Sequence, residues 1–264
     1  LAYDWLVRVD PGAADRLLPD MLDDPSAALR RKAVARRIDA AEQSREAGRS
    51  AQAVATFRDA LTAARDEDQV RAIAGHLKKL GQEVDLARHF GFVTRWRVTG
   101  PFDNTGEAGF DRVYPPEREL DFNATYRGKH GSLTWQEHTS EHRFGRLDFN
   151  KVLGEEKAVV GYGATRFVAD RSRDVELRYS SFNAVKVWLN GSLVGSHDIY
   201  HSGSQFDQYV SRVTLAEGPN QILVKVCQNE QTQSWADKWH IQLRVCDEIG
   251  GAVLSADRPK TEKP

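Results

Sequence analysis

Several features that would define a functional class are scarce in this 264-residue sequence, which has only two cysteines and one methionine. Charge of one sign is also lacking, because 37 basic residues stand against 38 acidic ones. The balance holds along the chain, with 15 of each sign in residues 1–90 and 22 basic against 23 acidic in residues 91–264. A positive field that would attract nucleic acids or anionic membranes is therefore not indicated. No apolar run approaches the length of a membrane span. We expect a folded protein that binds no nucleic acid and has no membrane-spanning segment.

Motifs of nucleotide and α/β-hydrolase chemistry are missing too, since GxxxxGK[ST], GxGxxG and GxSxG do not occur. One match to a metallopeptidase motif is HxxEH, formed by His138 and His142 with Glu141. That motif holds zinc when its residues lie on a helix. Here it follows a predicted strand, which favours a polar loop and leaves a zinc site at His138 and His142 as the alternative.

The two cysteines, Cys227 and Cys246, lie in similar strand-like contexts, LVKVCQN and QLRVCDE. In a simple hairpin around residues 229–238, Cys227 would face a residue near position 240 and not Cys246. A disulfide then needs another strand order, with strands that meet across two sheets. We favour the alternative that both are small, buried, apolar side chains.

Residues 1–90 are rich in Ala, Leu, Arg, Asp and Glu, and their apolar residues recur at three- and four-residue spacing. Gly48 and Gly81 are placed to end helices. Short loops between successive helices predict antiparallel neighbours. The predicted helices cover 13–22, 26–47, 50–64, and a last segment that begins at Asp66 or Asp68 and ends near Leu80.

From Val93 onward the pattern changes to short alternating runs separated by Gly, Pro, Asn and Asp. Asn190-Gly191 predicts a two-residue hairpin turn, and Gly218-Pro219-Asn220 predicts another turn. Many short strands without intervening helices are typical of a β-sandwich, with one short helix expected over 149–153. The predicted strands are 93–98, 132–138, 157–168, 173–180, 184–189, 192–198, 209–215, 221–228 and 238–246.

Three runs of this region, VKVWLNGSLVGSHD, AEGPNQILVKVCQN and WHIQLRVCD, resemble the sugar-binding jelly-roll domain, also called galactose-binding-like. The entry TRWRVTGPFDNTGEAGFDRVYPPE is similar to the start of such domains in large bacterial proteins. The N-terminal runs DPSAALRRKAV and AVATFRDALTAA resemble HEAT and tetratricopeptide helices, respectively. The predicted fold class is therefore α+β: a helical repeat-like unit over 1–90, an all-β jelly-roll sandwich over 91–256, and a flexible tail over 257–264.

The resemblance implies a function as well as a fold, because such domains accompany glycoside hydrolases and occur in carbohydrate-binding modules. It implies a non-catalytic carbohydrate-binding module of a larger extracytoplasmic bacterial protein. The chain begins at Leu1 without an initiator methionine or a signal-peptide pattern, so we interpret it as part of a longer protein. One alternative is a structural or protein-interaction scaffold that binds no sugar. Another is a hydrolase, which as a glycosidase would need two carboxylates across a sugar.

The candidate ligand-binding residues lie in two polar loops that carry aromatic side chains. Sugars are held by aromatic faces together with amide and carboxylate groups, and binding groups often sit on loops of a rigid scaffold. The competing interpretation is that the tryptophans close the sandwich edge and that Asn229 caps a turn. The loop over 228–239 provides Asn229, Glu230, Gln231, Trp235 and Trp239, and the loop over 197–209 provides Tyr200, His201 and Asp207, so both could lie at one end of the sandwich.

A possible metal site is indicated by Asp103 and Asp111, whose carboxylates could bind calcium through oxygen. The family resemblance also implies a structural calcium ion. The spacing does not match an EF-hand loop, and turn formation accounts for these residues equally well. We expect no other cofactor.

Overall fold

The computed structural model describes residues 2–259 and divides the chain into two compact units, the first ending at Asp85 and the second beginning at Leu86. The first unit is helical, and the second contains all the strands, so the predicted α+β class is confirmed. Within residues 2–259, no helix is long and apolar enough to cross a membrane. Residues 260–264 of the predicted tail lie outside the described part of the chain.

The first unit consists of α1 (Ala2–Val9), α2 (Ala13–Leu17), α3 (Ala27–Glu46), α4 (Ser50–Ala63) and α5 (Glu67–Lys79). Helix α3 packs against α4, and α4 packs against α5, around apolar residues at helical spacing. The helix predicted over 13–22 is shorter than expected and continues as a 3-10 helix over Leu18–Asp20. Pro19 explains this, because proline removes a helical hydrogen-bond donor. The HEAT and tetratricopeptide assignment stays a prediction.

The second unit begins with α6 (Leu86–Phe90) and is dominated by two antiparallel sheets. The six-stranded sheet has the order β4-β1-β6-β11-β8-β9, and the four-stranded sheet has the order β10-β7-β12-β5. A two-stranded ribbon and two further short helices, α7 (Pro115–Arg118) and α8 (Phe149–Leu153), complete it. The strands are β1 (Arg95–Asp103), β2 (Tyr126–Arg127), β3 (Ser132–Leu133), β4 (Gln136–Thr139), β5 (Leu147–Asp148), β6 (Val159–Ala169), β7 (Arg173–Ser181), β8 (Val185–Leu189), β9 (Ser192–His197), β10 (Tyr209–Leu215), β11 (Gly218–Gln228) and β12 (His240–Cys246).

An apolar core between the two large sheets is formed by their inward-facing residues, which makes the second unit a β-sandwich. Alternation along the strands produces it, because successive side chains point to opposite faces of a sheet. Val175, Leu177 and Tyr179 of β7 and Val185 and Val187 of β8 all contribute to this core. The turn at Asn190-Gly191 has positive φ at both residues, 50° and 79°, as the predicted hairpin requires.

The outer face of the six-stranded sheet carries a second apolar cluster, which includes Tyr162 and Leu223 and is covered by part of the chain over 102–135. Lys225 is fully buried there. Its Nζ donates hydrogen bonds to the carbonyl oxygens of Phe110 at 2.9 Å and Arg112 at 2.8 Å, and to Glu117 Oε1 at 2.9 Å. A charged group inside a sheet face is tolerated because each of its donors is paired.

The two cysteines lie in different sheets. Cys227 pairs with Val160 in the six-stranded sheet, and Cys246 pairs with Glu176 in the four-stranded sheet. Both are free and buried. The disulfide alternative is therefore wrong, and the interpretation as buried apolar residues is confirmed. Burial raises the pKa of Cys227 to about 12 and that of Cys246 to about 11, so neither thiol is reactive near neutral pH.

Candidate binding site

Three loops meet at one end of the sandwich because of the strand register. Val159 of β6 pairs with Asp103 on one side and with Gln228 on the other. The segment after β1 and the long loop after β11 therefore leave the sheet as next-but-one neighbours. The loop between β9 and β10 joins them, since Asn104 Nδ2 donates to Tyr200 Oη at 3.1 Å and to the Gln228 carbonyl at 2.9 Å.

Asn229 is the centre of the hydrogen bonds that link these loops, and it is buried. Its Nδ2 donates to Glu107 Oε1 at 3.0 Å, and its Oδ1 accepts from the Gln231 backbone at 3.2 Å. His201 Nε2 lies 3.1 Å from the same Oδ1, so His201 is the donor and its Nε2 carries the proton. Glu230 Oε1 accepts from the Gly106 backbone. We call Asn104, Glu107, Tyr200, His201, Asn229, Glu230 and Trp235 the loop cluster.

His201 Nδ1 is then an acceptor, and it is buried without a hydrogen-bond partner among residues 2–259. Such an unpaired buried group costs about 1–3 kcal/mol. Unpaired buried groups are rare in folded proteins, and a water molecule can supply the missing donor.

Trp235 is the exposed aromatic residue of the loop cluster, with 54% of its surface accessible. Its ring stands edge-on to His201 at 5.0 Å between centroids. The turn that carries Trp235 is anchored by the next residue, Ala236, which is buried. The Ala236 carbonyl accepts hydrogen bonds from Lys157 Nζ and Gln228 Nε2, both at 3.0 Å. The ring is thus presented to solvent on an anchored turn.

Trp239 lies elsewhere, although the sequence places it in the same loop. Its side chain is 0% exposed, its Nε1 donates to the Val226 carbonyl at 3.1 Å, and its ring stacks on Phe149 at 5.1 Å. Trp239 belongs to the core of the sandwich and presents no face to a ligand.

Asp207 supports the loop cluster from a distance. Its carboxylate takes a two-point contact from Arg244, through Nε at 2.7 Å and Nη2 at 2.6 Å, and a third from Arg178 Nη1 at 3.0 Å. Arg244 is 1% exposed and also donates to the carbonyls of Phe90 and Gly250. Asp207 therefore holds the loop before β10 against the four-stranded sheet, and its oxygens are already occupied.

Acidic side chains dominate the electrostatics near Tyr200. Burial raises the pKa of the Asp198 carboxyl, and the nearby charges of Glu107 and Asp111 raise it further. Burial raises the pKa of Tyr200 as well. Tyr200 is therefore a neutral phenol at physiological pH, able to donate or accept a hydrogen bond.

The residues considered for metals are dispersed. Asp103 Oδ1 accepts from Thr105 Oγ1 at 2.7 Å and lies 3.5 Å from Lys129 Nζ, while the exposed Asp111 lies 3.4 Å from Lys186 Nζ. Within residues 2–259, no group of three or more His, Cys, Asp or Glu side chains is arranged to hold a metal ion. Calcium binding stays a prediction.

The HxxEH motif does not form a helix, since His138 lies in β4 and His142 in the loop that follows. His142 Nδ1 accepts from the Phe144 backbone at 3.2 Å, and burial lowers the pKa of His142. The zinc and hydrolase alternatives also stay predictions.

Asn104 and Glu107 are not among the ligand-binding residues predicted from the sequence. Both follow β1, more than 120 positions before their partners, as the separations of 124 and 122 residues show for Gln228 and Asn229. No local pattern connects such distant segments. Only the pairing of β1 and β11 with the same strand brings them together.

The sequence matches no protein-family model and no curated protein. Solved structures similar to it include a beta-glucosidase from Kluyveromyces marxianus in complex with glucose, with 12% identity, TM-score 0.36 and coverage of 66% of this chain and 21% of that chain. Another is an anti-sigma factor domain-containing protein from Clostridium clariflavum, with 12% identity, TM-score 0.34 and coverage of 66% and 50%. A third is a family 35 carbohydrate binding module from Clostridium thermocellum, with 17% identity, TM-score 0.25 and coverage of 33% and 71%. The chain thus spans about a fifth of the beta-glucosidase and half of the anti-sigma factor protein.

Proposed function

We propose that this chain contains a non-catalytic carbohydrate-binding module with a jelly-roll sandwich, and that the loop cluster is its sugar site. The observation that carries the proposal is an exposed Trp235 on an anchored turn, next to a set of hydrogen-bonded polar side chains. The proposal depends on these side chains, and the structural likenesses add nothing to it.

An exposed tryptophan suits a sugar because one face of a pyranose ring carries several C–H groups and is apolar. Placing that face on an indole removes apolar area from water, at about 25 cal/mol per Å². Fixing the turn in advance lowers the entropy lost on binding. Exposure of a large aromatic ring in a preformed loop is therefore better explained by a ligand than by stability.

Polar side chains near Trp235 can form hydrogen bonds with sugar hydroxyls. The side chains of Gln231 and Gln233 are exposed on the same loop as Trp235 and have no hydrogen-bond partner among residues 2–259. Tyr200 Oη, which accepts a hydrogen bond from Asn104 Nδ2, adds a hydroxyl that can still donate one. Amides and hydroxyls in this arrangement favour a neutral sugar, since Glu107, Asp198 and Glu230 would repel an anionic one.

Affinity electrophoresis in gels that contain neutral polysaccharides tests the proposal. The wild-type chain is expected to be retarded by at least one polysaccharide, and Trp235→Ala is expected to lose most of that retardation, a weakening of about tenfold or more. Trp5→Ala is the matched control, because Trp5 is the other strongly exposed tryptophan and lies in the first unit. No retardation by any neutral polysaccharide, or equal retardation of Trp235→Ala, would refute the sugar site.

We also propose that the parent protein is larger and extracytoplasmic, since polysaccharides are met mainly outside the cytoplasm. Fractionation of the source cells with an antibody against this chain tests this. The antigen is expected in the periplasmic, cell-surface or secreted fraction and at a mass above 29.7 kDa. Confinement to the cytoplasmic fraction would contradict it.

A protein-interaction scaffold is the second candidate, and one observation on the first unit favours it. Helix α1 exposes Trp5 and Val9, which are 60% and 79% accessible, beside a groove of about 860 Å³ that Lys32 and Arg36 also line. The two residues are four positions apart and therefore lie on one face of α1, and contiguous exposed apolar patches mark contact surfaces. A partner that co-purifies with the wild type and is lost by Trp5→Ala, with polysaccharide binding intact, would support this function.

A further inference from the structure

A second cleft lies on the outer face of the six-stranded sheet, at the corner formed by β4, β1 and β6. It measures about 500 Å³, and its lining includes three arginines, the ring of Phe122, the side chain of Thr139 and the acidic residues Glu137 and Asp257. We call it the arginine cleft and define it by Arg95, Arg97, Phe122, Thr139 and Arg166. None of them belongs to the loop cluster.

Strand register concentrates the positive charge. Arg97 pairs with Ala164 on β6 and with Glu137 on β4, and Arg95 pairs with Thr139. The pairing of β1 with β6 ends at Arg97 and Ala164, and beyond it Arg95 and Arg166 both contact Asp257. Alternation along the two strands places all three arginines on the same outer face as Ala164. Three guanidinium groups therefore line one exposed cleft.

Arg97 is held in one orientation before any ligand arrives. Its guanidinium lies over the Phe122 ring at 4.5 Å, and Phe122 stands edge-on to Trp135 at 5.3 Å. Trp135 Nε1 in turn donates to Tyr126 Oη at 3.1 Å. Stacking on one face leaves the planar fork of N–H groups able to bind an oxyanion, at a reduced entropic cost.

The present partners of the arginines are weak and exchangeable. Arg97 Nη2 lies 3.0 Å from Glu137 Oε1, where Glu137 is 80% exposed, and Arg166 lies 3.9 Å from Asp257 Oδ2. Arg95 Nη2 donates to the Asp257 backbone carbonyl at 3.0 Å. Exposed ion pairs of this kind contribute at most about 1 kcal/mol, so a ligand oxyanion can replace them.

We propose that the arginine cleft binds the carboxylate or sulfate groups of an acidic polysaccharide. Guanidinium forks match planar and tetrahedral oxyanions with two parallel hydrogen bonds, and the hydroxyl of Thr139, which pairs with Arg95, suits a neighbouring sugar hydroxyl. The size of the cleft falls within the range of about 300–1,000 Å³ that is usual for small-ligand sites. Glu137 and Asp257 beside the arginines disfavour the closely spaced phosphates of a nucleic acid, whereas they leave room for one anionic group per sugar.

Titration of the full chain at low salt with polygalacturonate, dextran sulfate and neutral dextran tests the inference. Saturable binding to the carboxylated or the sulfated polymer, weakened by added salt, is expected, and the preferred polymer identifies the anionic group. Arg95→Gln combined with Arg166→Gln should weaken binding at least tenfold. Arg97→Lys keeps the charge but loses the stacked fork, and it should weaken binding several-fold.

Arg171→Gln is the matched control, because Arg171 is exposed in the bend between β6 and β7 and lies outside the cleft. Binding to neither anionic polymer overturns the inference, as does an equal loss in Arg171→Gln. Trp235→Ala should leave this binding unchanged, so the loop cluster and the arginine cleft can fail independently. Circular dichroism of each variant distinguishes lost binding from lost folding.

Discussion

At the scale of single residues, side chains of the same type in the two polar loops have different roles. Trp235 and Trp239 lie in one loop, yet one ring faces solvent and the other is part of the core. Asp207 and Glu230 are both acidic loop residues. The Asp207 carboxylate accepts hydrogen bonds from Arg244 and Arg178, whereas Glu230 accepts one from a backbone N–H at the loop cluster. Residue type alone indicated the same role for all four.

Asp207→Asn is expected to destabilise the second unit by about 3 kcal/mol, because it leaves the buried guanidinium of Arg244 without its anion. Urea unfolding of the variant and the wild type measures the difference. Asp174→Asn is the control, since Asp174 accepts only an exposed hydrogen bond from Thr214 and should cost less than about 0.5 kcal/mol. Equal losses in the two variants would contradict the role given to Asp207.

His240 provides a pH-dependent test of burial. It lies at the start of β12 with Nε2 3.3 Å from Ser204 Oγ, and burial together with the charges of Arg146, Lys238 and His142 lowers its pKa to about 3. In the unfolded chain the pKa is about 6.5. The unfolded state therefore binds the extra proton first, so stability is fully present above pH 6.5 and falls as the pH drops towards 3.

The expected contribution of His240 is a loss of about 2 kcal/mol between pH 7 and pH 5. His240→Asn should have a correspondingly shallower fall in the free energy of unfolding over that interval, whatever its absolute stability. Ser172→Asn, which changes an exposed side chain without a titratable group, should retain the slope of the wild type. An unchanged slope in His240→Asn would show that His240 is protonated in the folded state.

At the scale of secondary-structure elements, the outer face of the six-stranded sheet depends on a charged anchor. The covering segment over 105–118, with α7, is held by Lys225, whose ammonium meets two backbone carbonyls and Glu117. Burial lowers the pKa of Lys225, while the Glu117 carboxylate counteracts this. Glu117 also accepts a hydrogen bond from Tyr162 Oη, so one carboxylate joins α7 to two strands.

Glu117→Gln is expected to cost about 3 kcal/mol, since an unpaired buried ammonium remains. Glu119→Gln, at an exposed position two residues later, should be nearly neutral. Hydrogen exchange should also show faster exchange of backbone amides over 105–118 in Glu117→Gln but not in Glu119→Gln. Unchanged exchange in that segment would mean that the apolar cluster holds it without the ion pair.

Most of the regular elements of the sandwich could be predicted from the sequence. The strands predicted over 173–180, 184–189 and 209–215 are within one residue of those observed, and the helix predicted over 149–153 has the same bounds as α8. Period-two alternation and the Asn-Gly turn carry that information locally. Two-residue strands such as β5 (Leu147–Asp148) were missed, because no periodicity can show in so short a run.

The candidate site was predictable only in part, for a physical reason. The residue types of the two polar loops were readable, and hydrogen bonds such as that of His201 with Asn229 join those loops. The sequence did not show which tryptophan faces solvent, because that depends on the packing of Phe149 against Trp239. The arginine cleft was not foreseen, because it depends on the register of β1 against β6 and β4.

At the scale of the whole molecule, the sandwich carries two surfaces of different chemistry, the proposed sugar site and the proposed anion site. The loop cluster offers an aromatic face and acidic neighbours, which suit a neutral sugar, and the arginine cleft offers guanidinium forks, which suit anionic groups. The net charge of −1 does not show this difference, because positive and negative side chains are concentrated on different surfaces. A polysaccharide of mixed character could engage both surfaces, and its affinity would then exceed that of either alone.

The central claim is that Trp235 contacts sugar, and the indole N–H signals of the six tryptophans test it most directly. Heteronuclear NMR of the full chain is followed while an oligosaccharide of a neutral polysaccharide that retards the protein is added. The Trp235 signal is expected to shift in a saturable way, and the Trp5 signal is expected to stay in place. A Trp235 signal that does not move when the ligand is saturating would contradict it.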